Sequence, residues 1–221
     1  MRTQNTKLCR LSARSNSMRC LMILGMMCFS VLVGVSFAQS PSPAQQMQFG
    51  SPRTEELTEQ ATQTQLKRLA ADASWKLLTR KAEELGFTAR GVGGSVKATG
   101  EPVRGRQPSA QVEVFPYAKE GSSDSAGLVN VSEGSNKYYA LLVAENGDFE
   151  NATEWTVRNN EVVKAHSWWR CVLAKLSKEC GTPCGGAVVS CVKSDWRAYL
   201  LCLAGKCGPC FIQAAIGCIG Q

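Results

Sequence analysis

The side chains with the most chemistry to offer in this 221-residue chain are its 11 cysteines. Eight of them, Cys171, Cys180, Cys184, Cys191, Cys202, Cys207, Cys210 and Cys218, fall close together, and residues 39–170 hold none. Clustered thiols can hold zinc, shuttle electrons as a dithiol, or pair as disulfides. Cys180-x3-Cys184 and Cys207-x2-Cys210 have ligand-like spacing, but eight sulfurs exceed one tetrahedral zinc site, so no metal is expected. Cys207-Gly208-Pro209-Cys210 has the spacing of thioredoxin-like oxidoreductases, where a helix N-terminus lowers the pKa of the first thiol. Lys206 stands where that family has tryptophan, and no βαβ pattern surrounds the motif, which leaves a structural role for these two sulfurs.

The compartment decides among these chemistries, and the N-terminus indicates the compartment. Arg2, Lys7, Arg10, Arg14 and Arg19, with no acidic residue among them, precede an uncharged apolar run from Cys20 to Ala38. A basic start, an apolar centre and small residues at Ser36 and Ala38 make a secretory signal peptide over 1–38, cut between Ala38 and Gln39. Met27 before Cys28 does not fit a lipoprotein signal, and no adjacent arginine pair marks the twin-arginine route. The alternative is an uncleaved membrane anchor, since the run approaches the roughly 20 residues that span a bilayer. Eight cysteines in an exported chain then read as a disulfide framework, all of them paired. Their connectivity stays open, because eight cysteines admit more than about a hundred complete pairings.

Charge follows the same division. The formal net charge is +7, but removing 1–38 leaves 20 basic and 18 acidic residues, a net +2, so nucleic acid is not an expected partner. Residues 39–166 carry 14 basic and 16 acidic side chains, against six basic and two acidic in 167–221. An acidic front and a basic tail attract each other.

The elements that position the cysteines follow from patterning. A Ser/Pro/Gln-rich linker spans 39–53. Residues 54–85 read as a helix, with Leu66, Leu69, Ala70, Ala73 and Leu77 at helical spacing and Gly86 as a stop. Strand candidates follow in SAQVEVFPYA, SAGLVNVSE, KYYALLVAE and TEWTVRNNEVVKA, the last folded at Asn159-Asn160 as a two-residue hairpin turn. Gly91-Val92-Gly93-Gly94 reads as a loop or bulge rather than a phosphate cradle, and the sequons at Asn130 and Asn151 as chance occurrences. Residues 54–165 are thus an α+β region, one helix against an antiparallel β meander.

Residues 166–221 read as a small all-α, disulfide-rich domain. Helices run from Arg170 to Glu179, from Thr182-Pro183 through Val192, from a Ser194 cap to Gly205, and from Gly208-Pro209 onward. The third carries Trp196, Tyr199, Leu200 and Leu203 as a stripe. Helices of about ten residues do not persist alone in water, so staples are required. Trp168, Trp169 and Trp196 suit either a small core or a membrane interface. One histidine, His166, and no nucleophile or phosphate-binding motif give no catalytic grouping and no cofactor site.

The layout of signal, cysteine-free region and cysteine-rich tail, with Y-A-L-L-V-A-E-N-G-D at 139–148, W-W-R-C at 168–171, then C-x3-C and C-x2-C, resembles the halocin-like cysteine-rich bacteriocin precursors over most of 136–218. The tail has fewer cysteines than the archaeal members. The resemblance implies that the C-terminal peptide is an antimicrobial, and the expectation that goes with it is a cut near His166 that releases a peptide acting on target-cell membranes. It also implies that the pro-region pairs with the tail, masking it or conferring immunity. Two other functions are open: a secreted, disulfide-stabilised interaction module without toxicity, and a C-G-P-C thiol-disulfide oxidoreductase.

Overall fold

Eight antiparallel strands form one sheet. The strands are β1 (Arg53–Glu56), β2 (Thr88–Ala89), β3 (Gly94–Thr99), β4 (Ser109–Ala118), β5 (Ser125–Glu133), β6 (Asn136–Ala144), β7 (Thr153–Arg158) and β8 (Glu161–Ala165). Their order is β1-β3-β4-β5-β6-β7-β8, with β2 pairing the end of β4. The computed structural model describes residues 49–101, 107–165, 167–191 and 195–221. The expected cleavage point at Ala38 and Gln39, the signal, most of the linker, Val192, Ser194 and His166 lie outside them.

Alternate side chains of a strand point to opposite faces, and here both faces are covered. Val112 and Val114 of β4, Val129 and Val131 of β5, and Ala140 and Leu142 of β6 belong to one buried cluster. Phe115, Tyr117, Leu128, Leu141 and Val143 belong to the other. The nearly unbroken apolar run from Tyr138 to Ala144 follows from this, because a strand buried on both sides has no water-facing position.

Helices α1 (Glu59–Leu69) and α2 (Ala73–Glu84) cover the second face. The single helix expected over 54–85 is instead a short strand and two helices. The break has a local cause. The Asp72 carboxylate accepts the Ser74 N–H at 2.9 Å and the Tyr139 hydroxyl at 3.0 Å, so a short polar side chain starts a new helix where the pattern suggested continuation. Upstream, Arg53–Glu56 pair with β3, an edge strand that alternation did not reveal because all four of its residues are exposed.

The meander agrees with expectation: β4 and β5 coincide with their candidates, β6 lies within a residue, and Asn159 and Asn160 turn the last hairpin with φ of 51° and 63°. Gly91–Gly93 form a loop whose Gly93 N–H donates to Thr62 Oγ1 at 3.0 Å. Asn130, the first sequon, is 1% exposed and donates to Glu113, so the folded chain does not present it for modification.

The first face is covered by the C-terminal helices α3 (Trp168–Lys178), α4 (Gly181–Ser190), α5 (Trp196–Cys207) and α6 (Pro209–Gly217). Asp195 caps α5 by accepting the Ala198 N–H at 2.8 Å, the role expected of Ser194. That helix runs past Gly205 to Cys207, and Gly208, with φ of 56°, turns the chain into α6 with Pro209 at its first position. Sheet face and tail helices share a single hydrophobic cluster.

Candidate functional site

All eight cysteines of the tail are joined, and the order of pairing is concentric. Cys171 bonds Cys218, Cys180 bonds Cys210, Cys184 bonds Cys207 and Cys191 bonds Cys202, with Cα separations between 4.9 and 5.9 Å. First meets last and fourth meets fifth, so α3 and α4 are stitched along their length to α5 and α6. Cys207 and Cys210 bond different partners and form no dithiol with each other. The same two bonds consume the Cys180 and Cys184 sulfurs that had zinc-like spacing. The tail therefore fits a module stabilised for an oxidising, extracellular setting.

The seat on the sheet is aromatic. Trp168, Trp169, Trp196, Tyr199 and Phe211 are each at most 1% exposed. Phe149, from the loop before β7, packs 4.9 Å from Trp196 and 4.8 Å from Tyr199, and Trp169 lies edge-on to Trp196 at 5.4 Å. Each buried polar handle finds a carbonyl, as burial demands. The Trp169 indole N–H donates to Phe149 O at 2.7 Å, that of Trp196 to Ser125 O at 3.2 Å, and that of Trp168 to Ala215 O at 2.8 Å. The Tyr199 hydroxyl donates to Val188 O at 3.1 Å.

Beneath Trp196 lies Gly127 of β5, where a Cβ would sit 2.7 Å from the tryptophan side chain. Only a residue without one lets the indole reach the sheet. Glu154 of β7, 1% exposed, accepts the backbone N–H of Trp169 at 2.8 Å and the Tyr138 hydroxyl. At the rim, Arg197 pairs with Glu56 of β1 at 2.8 Å. Burial pushes the Tyr138 hydroxyl far above the ordinary phenol range, and the Glu154 carboxylate beside it adds to the shift. Burial does the same to Tyr199, assisted by Glu150 and Asp148.

Sequence reasoning placed the cysteines and the Trp196–Leu203 stripe but missed Phe149, Gly127 and Glu154. In Thr-Glu-Trp-Thr-Val-Arg, alternation assigns Glu154 to a solvent face, and only the tail makes that face an interior.

The arrangement has one asymmetry. Inside the tail the joints are disulfides, whereas residues 39–170 supply no cysteine, so apart from the peptide chain itself only packing, hydrogen bonds and ion pairs tie the tail to the sheet. Among the described residues no group of histidine, cysteine and carboxylate side chains is arranged to hold a metal ion. Neither a protein-family model, nor a curated protein, nor a solved structure matches the chain.

Proposed function

We propose that the protein is a secreted precursor of an antimicrobial peptide. Residues 166–221 are the active segment and residues 39–165 hold it masked until a cut near His166. The observation that carries this reading is the asymmetry above: four disulfides stay within the tail and none crosses to the sheet, so one cleavage leaves two bodies joined without a covalent bond. The apolar surface that release uncovers, Trp168, Trp169, Trp196 and Tyr199, is the kind that enters a membrane interface. No single described helix is long and apolar enough to cross a membrane. α5 and α6 together have the length and composition, with a 115° bend between them. Mass spectrometry of the culture medium tests processing: a disulfide-bonded fragment beginning near residue 166 is expected, and an intact mature chain alone would overturn it.

The shared core favours a second reading, a secreted interaction module that never comes apart. Side chains as fully enclosed as Trp196 and Phe211 are typical of a permanent interior. Dye release from lipid vesicles separates the two. The oxidised tail causes leakage under the precursor reading and none under the module reading.

A further inference from the structure

The sheet face beneath α1 and α2 is apolar only where those helices reach it. Further along the strands the register sets Lys97 of β3, Gln111 of β4, Ser132 of β5 and Lys137 of β6 in one row across the same face, and Arg53 of β1, opposite Lys97, continues it. The first four form the floor of a cleft of about 380 Å³, with Arg68 from the last turn of α1 and Asn130 also lining it. Three strand spacings put the two lysine positions roughly 14 Å apart.

The cations are unequally spent. Arg68 binds the buried Glu113 at 2.8 Å, whereas neither lysine has an acidic partner among the described residues. A different demand comes from below. Asn130 is 1% exposed and gives its amide N–H to Glu113 at 2.6 Å, which leaves its buried carbonyl oxygen without a donor. A buried acceptor in that state costs free energy until a hydroxyl or amine reaches it. Gln111 gives its N–H to Ser95, which turns no donor toward Asn130.

We infer that this cleft is a binding site for an oligomeric polyol phosphate, a chain in which phosphates alternate with hydroxyl-bearing carbons. The Lys97 and Lys137 ammonium groups meet separate phosphates, and hydroxyls between them donate to Asn130 and the Gln111 carbonyl. Single-stranded nucleic acid carries similar charges but needs stacking platforms, and Val189 is the large hydrophobic side chain exposed among the described residues. The site faces away from the tail, so it operates whether or not the tail is released, and it gives an exported protein a hold on phosphate-rich envelope polymer.

Titration calorimetry of the whole chain with a short glycerol phosphate oligomer tests the site. Lys97 and Lys137 are exposed, so K97Q/K137Q folds, as circular dichroism verifies, and K119Q/K164Q removes equal charge elsewhere. The oligomer binds the parent and K119Q/K164Q alike, and K97Q/K137Q loses roughly a hundredfold in affinity, the factor set by about two charge-assisted hydrogen bonds. No binding by the parent, or equal weakening in the two double variants, overturns the inference. Binding only to phosphatidylglycerol vesicles and not to the free oligomer assigns the charge to a lipid surface and also overturns it.

Discussion

The carboxylate of Glu154 accepts the backbone N–H of Trp169 at 2.8 Å, which ties β7 to the first turn of α3. That turn has N–H groups with no partner inside the helix, and a carboxylate placed there satisfies one and complements the helix dipole. The same carboxylate takes the Tyr138 hydroxyl, so one side chain of β7 fixes the start of α3.

Replacing Glu154 by Ala strands the buried Trp169 N–H, at about 1–3 kcal/mol, and takes the partner from the half-buried Tyr138 hydroxyl at a smaller cost. Guanidinium unfolding under non-reducing conditions is expected to show a loss of about 3 kcal/mol. A midpoint within error of the parent would mean the contact contributes nothing to seating the tail.

Gly127→Ala places a methyl group where Trp196 already sits, 2.7 Å away. Overpacking of this kind costs about 1–3 kcal/mol and displaces the indole from Ser125 O. The expected signature is a red-shifted tryptophan emission together with lower stability. An unshifted spectrum at full stability would place Trp196 elsewhere.

The concentric disulfides make their individual contributions alike. Sequence separations run from 47 for Cys171–Cys218 to 11 for Cys191–Cys202, which in isolation predicts about 4 against about 3 kcal/mol. With the next inner bond intact, however, the outer ones close only the short stretches between neighbouring cysteines. Pairwise serine substitution of any one bond is therefore expected to cost about 2–3 kcal/mol, with no trend in sequence separation. Full reduction removes the helical circular dichroism of the tail. A signal that survives reductant unchanged would refute the stapling account.

Four tyrosines set an alkaline limit. Burial is the largest cause raising the pKa of Tyr117, Tyr138, Tyr139 and Tyr199 above the ordinary value of 10.0. The folded state thus keeps protons that the unfolded chain loses near pH 10, and its stability is complete below that pH and declines above it. Each phenol that ionises only on unfolding removes about 1.4 kcal/mol per pH unit. Thermal midpoints measured from pH 7 to 11 should hold to about pH 9.5 and then fall. Asp124 and the exposed Asp148 have pKa values lowered by hydrogen bonds from Asn146 and Asn151, so their small contribution is present at neutral pH and fades as pH drops below 4. A chain that loses stability first on the acid side would contradict this assignment.

Much of the architecture was legible because local signals and tertiary context agree there. Val112 and Val114, or Val129 and Val131, are β-branched residues at period two between clear turns, and their strands are where that pattern puts them. β1 and β3 were not legible, since Arg53–Glu56 show no buried side at all and Gly94–Thr99 hold a single large apolar residue, Val96. The helix break at Asp72 depends on Tyr139, 67 positions away, which no local window contains. In the tail, cysteine clustering gave the fact of cross-linking but not the pairing, which is a property of how helices stack. The stretch Tyr138–Ala144 did carry an unread message: a strand without polar alternation needs covers on both faces, and the second cover is the tail itself.

Growth inhibition tests the masking account most directly. Oxidised peptide 166–221 is added to a panel of indicator strains alone and after mixing with an equimolar amount of residues 39–165. The account predicts that the peptide alone arrests a susceptible strain and that the mixture does not. A peptide without effect on every strain, or a mixture as inhibitory as the peptide, would contradict it.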